Sequence, residues 1–148
     1  MTTKQNKNLP ILLIEDDQAL ARLISDELET EGWNLEIHHQ LQSALDWLNI
    51  NQPALIVTDL RLPDGNGMQV VEQVVTHWPE EQRPGLIVIT AFGSVRQAVQ
   101  ALQAGADDFL TKPLDLEHFL LAVERVVATR KLHDELFQFR KLNRQPAF

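Results

Sequence analysis

Short apolar runs alternating with segments of helical period constrain this chain more than any other feature. Ile11-Leu12-Leu13-Ile14, Leu55-Ile56-Val57, Leu86-Ile87-Val88-Ile89 and Phe109-Leu110 are each the length of a buried strand. Leu35 to His38 makes a weaker one. Between them lie helical stripes: Ala19, Leu20, Leu23, Ile24 and Leu28; Leu41, Ala44, Leu45 and Leu48; Met68, Val71, Val74 and Val75; Val95, Ala98, Val99 and Leu102. A last stripe carries Leu116, Phe119, Leu120, Val123, Val126 and Val127. Strand and helix in turn predict βαβ units around a parallel sheet. Gly32 and Gly105 are expected to stop helices, Ser94 and Asp115 to cap them, and Pro63-Asp64-Gly65-Asn66-Gly67 to form a loop.

In such sheets the functional crevice lies beyond the carboxyl ends of the strands. Asp16, Asp59, Thr90 and Lys112 each follow a different run, so one fold gathers two acids, a hydroxyl and an ammonium. A divalent cation and a phosphoryl group suit that set. Formal charge supports the cation, since three carboxylates, counting Glu15, against Lys112 leave two negative charges. Without it, crowding these acids raises the pKa of at least one. Glu15-Asp16 also reads as the acidic start of a helix, favoured by the helix dipole, and Asp17 is expected to be only that. The helix-start reading explains the pair but not the constellation.

The chain has 148 residues, 44% of them hydrophobic, which suits one compact domain with a short appendage. The absence of cysteine excludes disulfides, thiolate metal ligands and a cysteine nucleophile. A net charge of -8 argues against direct nucleic-acid binding by this segment. No apolar stretch approaches the roughly 20 residues that span a bilayer. Met1 to Asn8 is polar and has no apolar segment behind it long enough for a secretory signal, so the cytoplasm is the expected compartment. His38, His39, His77, His118 and His133 show no ligand spacing and are expected at the surface. Trp33, Trp47 and Trp78 fall at element ends, where packing is their expected role.

The acidic pair Glu15-Asp16, the stretch Val57-Thr58-Asp59-Leu60-Arg61-Leu62-Pro63-Asp64-Gly65, the Thr90-Ala91 step and the Lys112-Pro113 dipeptide together resemble the receiver domain of bacterial two-component response regulators. The resemblance covers residues 9–128. Within that family, Thr90 to Val95 and Gly105 to Leu114 are most similar to receivers of nitrogen-regulator-type, sigma-54-dependent activators. The resemblance implies a flavodoxin-like, three-layer α/β fold with five parallel strands in the order 2-1-3-4-5. It also implies a phosphorylation-activated switch rather than an enzyme, with Asp59 accepting a phosphoryl group from a cognate sensor histidine kinase.

Mg2+ is the implied cofactor, held by Asp16, Asp59, the backbone carbonyl of Arg61, and Glu15 directly or through water. Lys112 is implied as the partner of the phosphoryl oxygens, Thr90 as their hydroxyl donor, and Phe109 as the switch aromatic. Drawing Thr90 inward and letting Phe109 fill the vacated space is then expected to change the face of the fourth helix, fifth strand and fifth helix. Phe92, two residues after Thr90, is expected to slow hydrolysis of the acyl phosphate. The family has a cis peptide before the proline of Lys112-Pro113, which sequence alone does not reveal.

Residues 129–148 are expected to form a helical extension, because Leu132, Leu136 and Phe139 continue at a/d spacing, with Pro146 as its stop. The extension reads as a link to an output domain, which favours transcription regulation, or as a coiled-coil seam. A homodimer is expected through the switch face or through this helix. A stand-alone receiver acting by protein–protein interaction is the alternative. Two rival classes fit less well. Aspartyl-phosphate phosphatases and mutases favour a second acid where this chain has Arg61. A flavin carrier wants a glycine- and hydroxyl-rich loop where Glu15-Asp16-Asp17 would repel phosphate.

Overall fold

A computed structural model describes residues 8–91 and 93–143. Five parallel strands, β1 (Ile11–Ile14), β2 (Leu35–His38), β3 (Leu55–Asp59), β4 (Gly85–Thr90) and β5 (Asp108–Thr111), form one sheet in the order β2-β1-β3-β4-β5. The order predicted from the resemblance is the order observed. Five helices connect and follow them: α1 (Gln18–Thr30), α2 (Leu41–Ile50), α3 (Met68–His77), α4 (Val95–Ala104) and α5 (Leu116–Leu142).

Side-chain alternation along the strands divides the core into two layers. Leu12, Ile14, Ile56, Leu86 and Val88 meet α2, α3 and α4 on one face. Ile11, Leu13, Leu55, Val57, Ile87 and Ile89 meet α1 and α5 on the other. Strands buried on both faces read as continuous apolar runs, which is why β1, β3 and β4 stood out in the sequence. The register is in step across the centre, with Ile11 beside both Leu35 and Leu55, and Leu55 beside Gly85. The carboxyl ends of β1, β3 and β4 therefore finish at one edge.

Caps explain three of the helix ends. Asp17 accepts from the Leu20 N–H at 3.1 Å and Asp115 from the His118 N–H at 3.2 Å, satisfying amides that a helix start leaves unpaired. Gly105, at φ 133°, takes the left-handed turn that ends α4. Three expectations need correction. Ser94 occupies the N-cap position of α4 but makes no side-chain cap bond. On α4 itself the buried residues are Ala98 and Ala101, while Val95, Val99 and Leu102 lie exposed; periodicity locates an apolar stripe without saying what covers it. The loop after β3 contains a two-stranded antiparallel ribbon, Arg61–Leu62 with Gly65–Asn66, too short to show a period. Pro146 lies outside the described residues. Among them, no helix is long and apolar enough to cross a membrane.

Candidate functional site

The edge where β1, β3 and β4 end carries a cleft of about 350 Å3 lined by Asp16, Asp59, Arg61, Thr90, Ala91 and Lys112, among others. Backbone bonds fix its walls. The Glu15 N–H donates to His38 O at 3.0 Å, Leu60 N–H to Ile89 O at 3.1 Å, and Lys112 N–H to Thr90 O at 2.8 Å. The peptide between Lys112 and Pro113 is cis.

Asp59, nearly buried at the end of β3, has both carboxylate oxygens engaged. Oδ1 accepts from the Arg61 N–H at 3.0 Å and Oδ2 from Lys112 Nζ at 2.8 Å. Glu15 has no exposed surface. Its Oε2 accepts from the Asp17 N–H at 3.0 Å and from Lys112 Nζ at 3.2 Å. Its Oε1 is also 3.2 Å from Lys112 Nζ, but out of hydrogen-bond alignment, and it accepts no hydrogen bond. Asp16 stands exposed at the rim. One carboxylate oxygen from each of Glu15, Asp16 and Asp59 falls within 4.8 Å of the others.

Burial, reinforced by the Asp59 charge, pushes the Glu15 carboxyl up to about 7, against the lowering effect of the Asp17 amide and Lys112. The sequence reading expected crowding to raise one of these acids; Glu15 is the one raised, but burial is the main cause and the neighbouring Asp59 charge only adds to it. Burial alone would depress the Lys112 ammonium, yet the hydrogen bond and charge of Asp59, followed by those of Glu15, raise it overall. Lys112 is therefore a fixed cation, 2.8 Å from the acid it would have to leave for an incoming anion.

Two buried side-chain atoms among the described residues lack hydrogen-bond partners: Glu15 Oε1 and Thr90 Oγ1. Orphans of this kind cost free energy unless a ligand satisfies them. One is an acceptor oxygen in an all-oxygen donor set, which fits a hard divalent cation. The other is a hydroxyl in the cleft wall that holds Asp59 and Lys112, able to donate to an oxyanion. The residues present thus fit the implied cation.

Phe109 is only half-buried, packed against the α2–α3–α4 layer, and lies beside Val88 in the sheet. It shares strand β5 with Thr111, the register partner of Thr90. Phe92 lies outside the described residues, so the expectation about it stays a sequence reading. Three participants escaped the sequence reading. His39 was expected at the surface, but it is half-buried and donates from Nδ1 to the Glu15 carbonyl at 2.8 Å. His38 is likewise half-buried, held between Glu36 and Ser43. Gly67, read only as a turn former, packs so closely that a Cβ there would lie 2.3 Å from the Asp59 carbonyl oxygen. No local signal separates these roles from ordinary loop and strand-end usage.

Residues 11–124 match the family model described as the response regulator receiver domain. The chain is 33% identical over 124 residues to the response regulator ArlR of Staphylococcus haemolyticus, covering 84% of this chain and 55% of that protein. It is 36% identical over 105 residues to the photosynthetic apparatus regulatory protein RegA of Rhodobacter capsulatus, covering 71% of this chain and 55% of that one. The chain thus spans about half the length of the curated relatives it matches. Among solved structures, NtrX from Brucella abortus superposes with a TM-score of 0.81 at 28% identity, covering 90% of this chain and 30% of NtrX. A response regulator from Burkholderia pseudomallei, solved with a phosphorylated aspartic acid, a calcium ion and citrate, gives 0.70 at 26% identity, covering 86% of this chain and 74% of that one.

Proposed function

The chain belongs to the response regulator receiver domain family, whose members are signalling switches rather than enzymes, and from that membership we propose that Asp59 is its phospho-acceptor. The observation that carries the reading is the pair of orphaned buried atoms, Glu15 Oε1 and Thr90 Oγ1, on either side of a carboxylate already paired with a lysine.

A carboxylate oxygen of Asp59 forms the new bond to phosphorus as the phosphorus–nitrogen bond of a phosphohistidine on the partner kinase breaks. Bound Mg2+ would supply charge neutralisation for the transferring group, held by Asp16, Asp59, the Arg61 carbonyl and Glu15 directly or through water. That the Burkholderia pseudomallei homologue was solved with both a phosphorylated aspartic acid and a calcium ion favours a hard divalent cation as the partner of this chemistry. Lys112 moves its ammonium from Asp59 to a phosphoryl oxygen, and Thr90 donates its hydroxyl to another. Thr90 then draws toward the phosphoryl group, and Phe109 follows into the space it leaves. Lacking a hydroxyl, Phe109 scores that move by packing alone. A bias of a few kcal/mol suffices to invert the populations.

The receiver comprises residues 9–128, and 129–148 link it to an output domain in the cytoplasm, with α5 carrying that link as far as Leu142 and transcription as the controlled process. NtrX among the structural neighbours and the Thr90–Val95 and Gly105–Leu114 segments favour the nitrogen-regulator type. The test is mass spectrometry after incubation with acetyl phosphate and Mg2+. Wild type should gain one phosphate and Asp59→Asn none; equal gain by both would remove Asp59 from this role.

A further inference from the structure

Two consecutive histidines grip the residue that opens the acidic cluster. β1 and β2 end level with each other, Ile14 beside His38. One step on, the Glu15 N–H still donates to the His38 carbonyl at 3.0 Å. The Glu15 carbonyl lies past the end of the ladder, and there a side chain takes over: His39 Nδ1 donates to it at 2.8 Å, across 24 positions of sequence. His38 is itself clamped, with Nδ1 2.8 Å from Ser43 Oγ and Nε2 2.8 Å from Glu36 Oε2. A carbonyl oxygen can only accept, so this contact requires a proton on His39 Nδ1.

We infer that His39 is a positioning residue for the divalent cation, its Nδ1–H fixing the peptide plane that joins Glu15 to Asp16. The inference rests on the proposed cation site and adds to it a residue that touches no ligand. The two acids are held very differently. Glu15 is buried, and its Oε2 accepts from the Asp17 N–H at 3.0 Å and from Lys112 Nζ at 3.2 Å. Asp17 is fixed in turn by capping α1. Asp16 between them is exposed, and no hydrogen bond or ion pair holds its carboxylate. Its direction therefore depends on the backbone that carries it. That backbone begins with the Glu15–Asp16 peptide, a rigid plane whose carbonyl end is tied to His39. Turning the plane would swing Asp16 relative to Glu15 and open the set of oxygens that now lie within 4.8 Å of one another. Groups behind a ligand set commonly tune metal affinity in this way.

The test is calorimetric titration of the unphosphorylated chain with Mg2+ alone, well below the melting temperature. His39→Leu keeps bulk but removes the donor, and should weaken Mg2+ binding about tenfold. His39→Asn puts an amide N–H where imidazole Nδ1 stood and should restore most of that loss. His39→Gln reaches to the Nε2 position instead and should not. A contact that served folding alone would move melting temperatures in chelator without this order in Mg2+ affinity. The 15N resonances of the wild-type ring at alkaline pH should place its proton on Nδ1. A leucine variant that binds Mg2+ as tightly as wild type, an asparagine variant no tighter than the glutamine one, or a ring protonated on Nε2 would overturn the proposal. Should the leucine variant not fold, the asparagine and glutamine pair decides. Wild type that binds no Mg2+ removes the cation site itself, whereas tight binding by wild type and all three variants removes only the part given to His39.

Discussion

Glu15 and Gly67 carry more of the site than their residue types advertise. The folded pKa of Glu15, about 7, stands above the ordinary 4.5, so the native state holds its proton more tightly than the unfolded chain does. Stability from this group is therefore full at low pH and falls as pH rises from 4.5 to about 7, by on the order of 3 kcal/mol. Lys112, also raised, titrates above this window and leaves its slope alone. In chelator the melting temperature should fall across that interval, and Glu15→Gln should flatten the fall. Excess Mg2+ should raise the melting temperature more at pH 8 than at pH 5, because it favours the ionised carboxylate. A slope unchanged in Glu15→Gln would detach the effect from this residue. Gly67 offers a steric counterpart. The atoms a Cβ would strike belong to the backbone of Asp59 and Leu60 and cannot swing aside. Gly67→Ala should cost about 2 kcal/mol or more in denaturant unfolding and slow phosphorylation by displacing Asp59. Normal uptake in that variant would show that the loop tolerates the shift.

At the scale of elements, α2 shows what a sequence hides. Its N-cap residue, Gln40, makes no side-chain cap bond. Asp64, from the loop after β3, does the capping instead, accepting from the Leu41 N–H at 2.6 Å and the Gln42 N–H at 2.9 Å. Those two amides hold the Asp64 carboxyl below its usual range. The stabilisation is thus present above pH 3.8 and lost as pH falls through the lowered value. Asp64→Ala should speed hydrogen exchange at Leu41 and Gln42 while leaving α5 amides unchanged; unaltered protection at both would reject the cap. Sequence reading placed Asp64 in a turn, which is true but local. The cap depends on two loops meeting across 23 positions, and periodicity carries no such information. The same limit explains α4, where Val95, Val99 and Leu102 were legible as an apolar stripe although only its alanines go inside. By contrast β1, β3 and β4 were legible almost to the residue, because burial on both faces leaves an unbroken apolar run. Asp16, Asp59, Thr90 and Lys112 were legible for a related reason, as polar residues that interrupt or follow such runs where the topology brings them together.

Across the whole molecule, β4 and β5 join two polar centres at opposite ends of the sheet. At one end Asp107 accepts from the Leu86 N–H at 2.9 Å and grips Arg130 of α5. At the other, Thr90 and Lys112 line the cleft, tied to each other through the Lys112 N–H and Thr90 carbonyl. A motion begun at Thr90 therefore starts on the strand whose far end is anchored to the helix that leads out of the domain. The orphaned Thr90 hydroxyl is the part of this arrangement that the resting state does not use. Thr90→Val removes a buried, unsatisfied polar atom, so the unphosphorylated protein should gain about 1 kcal/mol. The same variant should still take up one phosphate at Asp59, since neither the acid nor the lysine is touched. What it should lose is transmission: beryllofluoride, which mimics the phosphoryl group, should shift the amide resonances of β5 and α4 in wild type and leave them near their resting positions in Thr90→Val. Equal shifts in both proteins would mean that Phe109 answers the phosphoryl group by another route. A gain in resting stability coupled to a loss of response would instead identify the hydroxyl as a cost retained for signalling.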